Sequence, residues 1–198
     1  MKKITDKKIT SIALIIGITL VIISSVLVAI HHFSQVGSEK EALKIVEEIK
    51  SVIPETEIGI PDGRVDAEMP VMQISGNDFI GYMEIPEYDK SLPIYSEWSK
   101  YKVADFPCRL KGSMYDGTLI IGSVENPGQL DVAKLIAGGQ EINIVDMTGL
   151  KYKYKVTDIY MTKDVSTEKL SAIGVDLVIF IRSHFAKDYM VICCDTRS

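Results

Sequence analysis

Residues 9–30 carry no charged side chain, and a run of that length and character is unavailable to a water-soluble core. At ~1.5 Å per residue a helix over it crosses a ~30 Å hydrocarbon layer. Lys2, Lys3, Lys7 and Lys8 precede it with only Asp6 opposing them. The positive-inside bias therefore predicts a cytoplasmic N-terminus (1–8), a single-pass membrane anchor (9–30) and an extracellular remainder after His31. A cleaved signal peptide would place Leu27 and Ala29 at the −3 and −1 positions of the cleavage site. Leucine fits that site badly and the run exceeds the ~7–15 apolar residues of a signal, so the reading is a retained anchor.

Setting aside Lys2, Lys3, Lys7, Lys8 and Asp6 leaves 18 of the 22 basic and 26 of the 27 acidic residues, a formal −8. That balance excludes nucleic acid as the expected partner. Cys108, Cys193 and Cys194 have no metal-ligand spacing, and beyond His31 and His32 the chain holds only His184. No metal and no cofactor is implied.

Ser38 and Glu41 form a capping-box pattern, after which Ala42, Ile45, Val46, Ile49, Val52 and Ile53 recur at helical spacing until Pro54. This predicts an amphipathic stalk helix over 38–53, whose apolar face must meet its own domain, the membrane surface or a second copy. The acidic segment 54–71, punctuated by Pro54, Gly59, Pro61, Gly63 and Pro70, reads as a linker.

The remaining residues, 72–198, read mainly as short strands, at 79–85, 92–95, 118–121, 141–146, 151–160, 177–181 and 189–194. Lys151-Tyr152-Lys153-Tyr154-Lys155-Val156 alternates without a break, so one face is wet and the other buried. The turn Met147-Thr148-Gly149-Leu150 joins it to the preceding strand as a hairpin. Leu177-Val178-Ile179-Phe180-Ile181 is apolar on both faces, as a strand covered on each side would be. Strands at this spacing with only short helices predict a closed or nearly closed barrel.

The order of several short motifs narrows this further. They are Phe79-Ile80-Gly81-Tyr82-Met83-Glu84-Ile85-Pro86, Leu92-Pro93-Ile94-Tyr95, Pro107-Cys108-Arg109 with Gly112-Ser113, Leu119-Ile120-Ile121-Gly122, the hairpin over 139–154, and Asp176-Leu177 entering the last strand pair. Over 78–195 this series resembles the sortase family, membrane-anchored cysteine transpeptidases of Gram-positive cell envelopes. The resemblance implies a mainly β fold: a sortase-like eight-stranded β-barrel with short helices, preceded here by the transmembrane and stalk helices.

In sortases a histidine follows the glycine of the Leu119-Ile120-Ile121-Gly122 motif, a Thr-Cys pair ends the penultimate strand and an arginine opens the last. Matched residue by residue, these places fall on Ser123, on Ile181-Arg182 and on Tyr189, and none of the three functional groups is retained. The family's chemistry needs a thiolate nucleophile, a proton carrier with a pKa near neutrality, and donors for a developing oxyanion. Serine does not carry protons near neutral pH as imidazole does. The guanidinium of Arg182 stays protonated and offers no nucleophile. Tyr189 keeps one hydrogen-bond donor without the fixed charge, and losing one oxyanion donor costs ~10²–10³ in rate.

Two functional readings follow. One is a surface-displayed pseudo-sortase that binds a sorting-signal peptide, a surface protein or a partner sortase through Ile181, Arg182 and His184. The other is a divergent transpeptidase or hydrolase with a displaced nucleophile at Ser123, Cys193 or Cys108. A third, structural reading makes the barrel a spacer and the stalk an oligomerisation element. If Arg182 faces Tyr189, Cys193 faces Val178, about 13 Å from the old active end, and reads as a core thiol. A disulfide from Cys193 or Cys194 to Cys108 is open to an extracellular domain. His184 reads on its own as a solvated loop residue, and Arg182 either holds a peptide carboxylate or pairs with an acid such as Asp188. Trp98, Tyr101 and Phe106 are either ordinary packing or one wall of a peptide groove.

Overall fold

The computed structural model describes residues 2–63, 68–125, 130–183 and 187–196, without the side chains of 2–13, 29–36 and Asp131. Two compact units divide at Gly37/Ser38. Helix α1 is assigned over Lys2–Val52, so no helix begins at Ser38 and the capping-box residues there lie inside α1. Residues 31–37 contain no proline, and a lone Gly37 is tolerated inside a helix at a cost of about 1 kcal/mol. The helix stops short of Pro54, which restricts the residue before it and lacks an N–H of its own. Within 14–28 the apolar side chains point outward on every side, Leu14, Val21 and Val28 each about two-thirds exposed. Among the described residues no helix is long and apolar enough to cross a membrane.

The second unit is the barrel. Its strands are β1 (Glu57–Ile58), β2 (Met72–Ile74), β3 (Asn77–Ile85), β4 (Lys90–Tyr95), β5 (Cys108–Lys111), β6 (Leu119–Val124), β7 (Glu141–Asp146), β8 (Leu150–Thr162), β9 (Leu177–Arg182) and β10 (Tyr189–Asp195), with a short helix α2 (Thr167–Ser171) before β9. Eight of them close in the order β3-β4-β5-β6-β9-β10-β8-β7 and back to β3, while β1 and β2 extend β8 and β3. The expected eight-stranded barrel is therefore the fold. Pairing is antiparallel around the ring except for β4 with β5 and β6 with β9.

Local sequence explains each feature. Along β8, Tyr152, Tyr154 and Val156 are buried while Lys153 and Lys155 are exposed, as the alternation predicted. In β9, Leu177, Ile179 and Ile181 face the barrel core, whereas Val178 and Phe180 join a second cluster outside it with Leu170 and Val191. The ring closes where β3 meets β7. There Gly81 has φ +147°, and a Cβ at that position would lie 1.9 Å from the carbonyl oxygen of Val145, so only glycine fits. The β7–β8 turn is tied by the buried Asp146 carboxylate, which accepts from Thr148 N–H, Thr148 Oγ1, Leu150 N–H and the Tyr115 hydroxyl (2.8 Å).

The end of α1 and the segment after it differ from a free stalk and linker. Ala42, Val46 and Ile49 are at most 2% exposed and belong to the barrel core, because their face of the helix packs on its own domain. Lys90 Nζ meets Glu39 at 2.9 Å, and Lys50 lies 3.5 Å from Glu84. After Pro54 the chain is laid against the barrel: Glu57 N–H donates to Gly149 O, Gly59 N–H to Lys151 O, and Gly63 N–H to Tyr115 O. Its two-residue strand β1 adds in parallel to β8. Its backbone donors find barrel carbonyls, which a composition-based linker reading does not anticipate.

Ile49 is fully buried between helix and barrel. Ile49→Ala should lower the unfolding free energy of the chain by about 2–5 kcal/mol in a denaturant titration. A change below about 0.5 kcal/mol would show that this helix face does not contribute to the barrel core.

Candidate functional site

The parallel pairing of β6 with β9 places Ser123 opposite Ile181 and Val124 opposite Arg182. β10 runs back antiparallel with Tyr189 opposite Arg182 and Cys193 opposite Val178, the register on which the sequence argument rested. Ser123, Arg182 and Tyr189 are thereby gathered at one end of three adjacent strands. All three line a single groove of about 460 Å³ whose apolar walls include Trp98, Val103, Leu110, Val165 and Phe180.

Gly122 makes the aromatic wall possible. A Cβ on it would lie 2.3 Å from the Trp98 ring and 2.4 Å from the Phe180 ring, so the bare backbone gives both rings a seat. Their centroids are 5.5 Å apart with the planes tilted by 37°, within the range of favourable aromatic pairs. Tyr189 continues the row, its ring centred 6.2 Å from that of Phe180.

Among the described residues Lys100 and Arg182 are the cations of the lining, and no carboxylate lines it. Arg182 is exposed and among the described residues makes no ion pair, Asp188 included. Lys100 Nζ lies 4.9 Å from the centre of the Tyr101 ring. Ser123 is 1% exposed, and its hydroxyl donates at 3.5 Å to the carbonyl of Val124, at the long limit of a hydrogen bond. No imidazole touches it among the described residues.

The three cysteines are buried and unbridged, and none lines the groove. Burial pushes the thiols of Cys108 and Cys193 from their ordinary value near 9 to about 11. For Cys193, nearby Asp158 and Asp195 add to the rise. Burial likewise drives Cys194 strongly upward. A thiol protonated throughout the physiological range is a poor nucleophile. Cys193 sits in the outer apolar cluster with Ile120, Leu170 and Val178, which is the core-thiol environment expected of it.

Of the predicted peptide contacts, Arg182 stands in the groove. Ile181 does not: strand alternation turns its side chain into the barrel, where it is 2% exposed. His184 lies outside the described residues. Of the three aromatics weighed as a wall, Trp98 lines the groove, Phe106 packs inside against Tyr95, and Tyr101 stands 75% exposed beside it. Phe180, Lys100, Leu110 and Val165 were not foreseen. A glycine inside an apolar strand marks a close approach, and Gly122 was the one available signal that something large crosses there.

No family model and no curated protein matches the chain. Many solved sortase structures do. A Clostridium perfringens Sortase D5 transpeptidase superposes with a TM-score of 0.55 at 16% identity, over 80% of this chain and 98% of that one. Sortase C1 of GBS Pilus Island 1 gives 0.52 at 14% identity, over 80% and 82%. Sortase C1 from Streptococcus agalactiae gives 0.50 at 13%, over 62% and 69%. At these identities the likeness establishes the fold, which is that of the sortases.

Three measurements, of thiol labelling, of stability against pH and of tryptophan emission, check this geometry. Near pH 7.5 a maleimide probe should label none of the three native thiols within minutes and all of them in denaturant, whereas Arg182→Cys should add one fast site. Because folded Cys108 and Cys193 ionise at about 11 rather than near 9, their contribution to stability is intact below pH 9 and is lost as the pH rises through 11. Gly122→Val should expel the Trp98 ring, red-shifting the emission of the chain's only tryptophan while the circular dichroism of the barrel is kept.

Proposed function

We propose that this sortase-fold chain is a membrane-anchored protein of the outer cell surface that has lost transpeptidase chemistry and binds an extended peptide in its groove. The peptide belongs to a sorting signal, a surface protein or a partner sortase. One observation carries the reading: the positions matched to the family's histidine, cysteine and arginine line one groove, yet they hold a hydroxyl, a guanidinium and a phenol. A transpeptidase must form and break an acyl bond on a nucleophile, and the groove supplies no thiol and no neutral-pH base among the described residues. The buried, high-pKa cysteines favour binding over a displaced catalytic centre.

The anchor reading is supported by the uncharged run 9–30 behind four lysines and by outward-facing apolar side chains all around 14–28, a surface that water does not solvate well. Packing of the Ser38-to-Val52 part of α1 on its own barrel weighs against the helix as an oligomerisation element.

Full-length protein in detergent, incubated with sorting-signal peptides and an amine acceptor, should change the Trp98 emission without cleavage or transfer. Turnover abolished by Ser123→Ala or Cys193→Ala would overturn the pseudoenzyme reading. In cells, the chain should stay with membranes after an alkaline wash and lose its barrel to protease added outside. Release by the wash would refute the anchor.

A further inference from the structure

We infer that the groove recognises a peptide by its free C-terminal carboxylate, held by Arg182 and Lys100, with the last side chain, an apolar one, seated on Trp98 and Phe180. The inference deepens the peptide-groove reading and rests on it. Among the described residues two cations and no carboxylate line this groove, although the chain beyond its N-terminal lysines has a formal charge of −8. The local charge therefore runs against that of the domain. Arg182 is exposed without an ion pair among the described residues, so its planar donors are available for the bidentate contact that guanidinium makes with carboxylate.

The rest of the lining fixes what accompanies the anion. Trp98, Phe180, Val103, Leu110 and Val165 are apolar, and the polar remainder is mainly hydroxyls. A polyphosphate or a sugar would leave that wall unused, and an apolar compound without charge would leave both cations unanswered. In an extended peptide, consecutive side chains point to opposite sides. An internal acidic residue and its apolar neighbour thus cannot both enter one groove of about 460 Å³. A C-terminal residue carries its carboxylate and its side chain on the same Cα, so both reach the cations and the aromatic wall together.

The test uses full-length protein in a neutral detergent and reads Trp98, the only tryptophan, which is 40% exposed at the groove. Four probes are titrated: N-acetyl-Ala-Ala-Ala-Leu as the free acid, the same peptide as its amide, the sequence embedded in a longer peptide with an amidated end, and hexyl phosphate. The free acid should bind about tenfold or more tightly than the amide and the embedded form, as a charge-assisted contact is worth. That gap should close in Arg182→Gln, narrow in Lys100→Gln and shrink with added salt. Melting temperatures of the two variants within a few degrees of the parent show that the exposed substitutions spare the fold. Equal binding of acid and amide overturns the carboxylate inference and leaves the peptide groove standing. Tighter binding of hexyl phosphate than of the free acid overturns the peptide source in favour of an anionic amphiphile. No response from any of the three peptides overturns the peptide-groove reading itself.

Discussion

Parallel pairing of β6 with β9 is the constraint on which the groove depends. Two strands that run the same way bring their C-terminal ends together, and a parallel neighbour requires a long crossover. Here that crossover is the β7–β8 hairpin and α2, which lie between the two strands in sequence. Ser123 and Arg182 line one groove only because this excursion returns the chain to the same side of the ring. β10 then starts at the meeting point, so Tyr189 arrives beside Arg182. A single slip in that ladder would turn Phe180 into the barrel and Ile181 onto the groove.

The excursion is held by a few specific contacts. Gly81 lets β3 and β7 approach closely enough to close the ring, and the four donors to Asp146 fix the turn into β8. A closed ring has no free edges on its eight strands, and the parts of β3 and β8 that remain open receive β2 and β1. The segment that follows α1 thus extends the sheet at β8. The same economy governs the outer cluster, where Val178, Phe180, Val191 and Cys193 present a second apolar face to Leu170 of α2. Phe180 belongs both to that cluster and to the groove, so the wall of the site is anchored in a packed layer.

The fold of the sortases persists at 16% identity or less, because a barrel is specified by alternation, turn chemistry and volume, which many sequences satisfy. Chemistry depends on a few side chains in a few places, and the three positions matched in the sequence hold Ser123, Arg182 and Tyr189. In the proposed reading a guanidinium stands where a thiol would serve, and Lys100 is a second cation of the same lining. The buried cysteines show the complementary point: a thiol without access is packing material.

The sequence by itself determined seven of the eight ring strands and the apolar run at the N-terminus, because each rests on periodicity and charge along a short stretch, while β5 (Cys108–Lys111) and the β9–β10 register, which the sequence carried only as a condition, were settled by pairing. It also marked Ser123, Arg182 and Tyr189 through their place in an ordered series of motifs. Only the tertiary structure decided which side chains share the groove. Ile181 was one residue out of phase, and Trp98 with Lys100 entered from a loop that nothing in the local pattern aimed. The course of 54–63 along the barrel and the burial of Ala42, Val46 and Ile49 on it were likewise settled by partners distant in the chain. Periodicity says which face of an element is apolar, but what that face meets is a property of the closed ring.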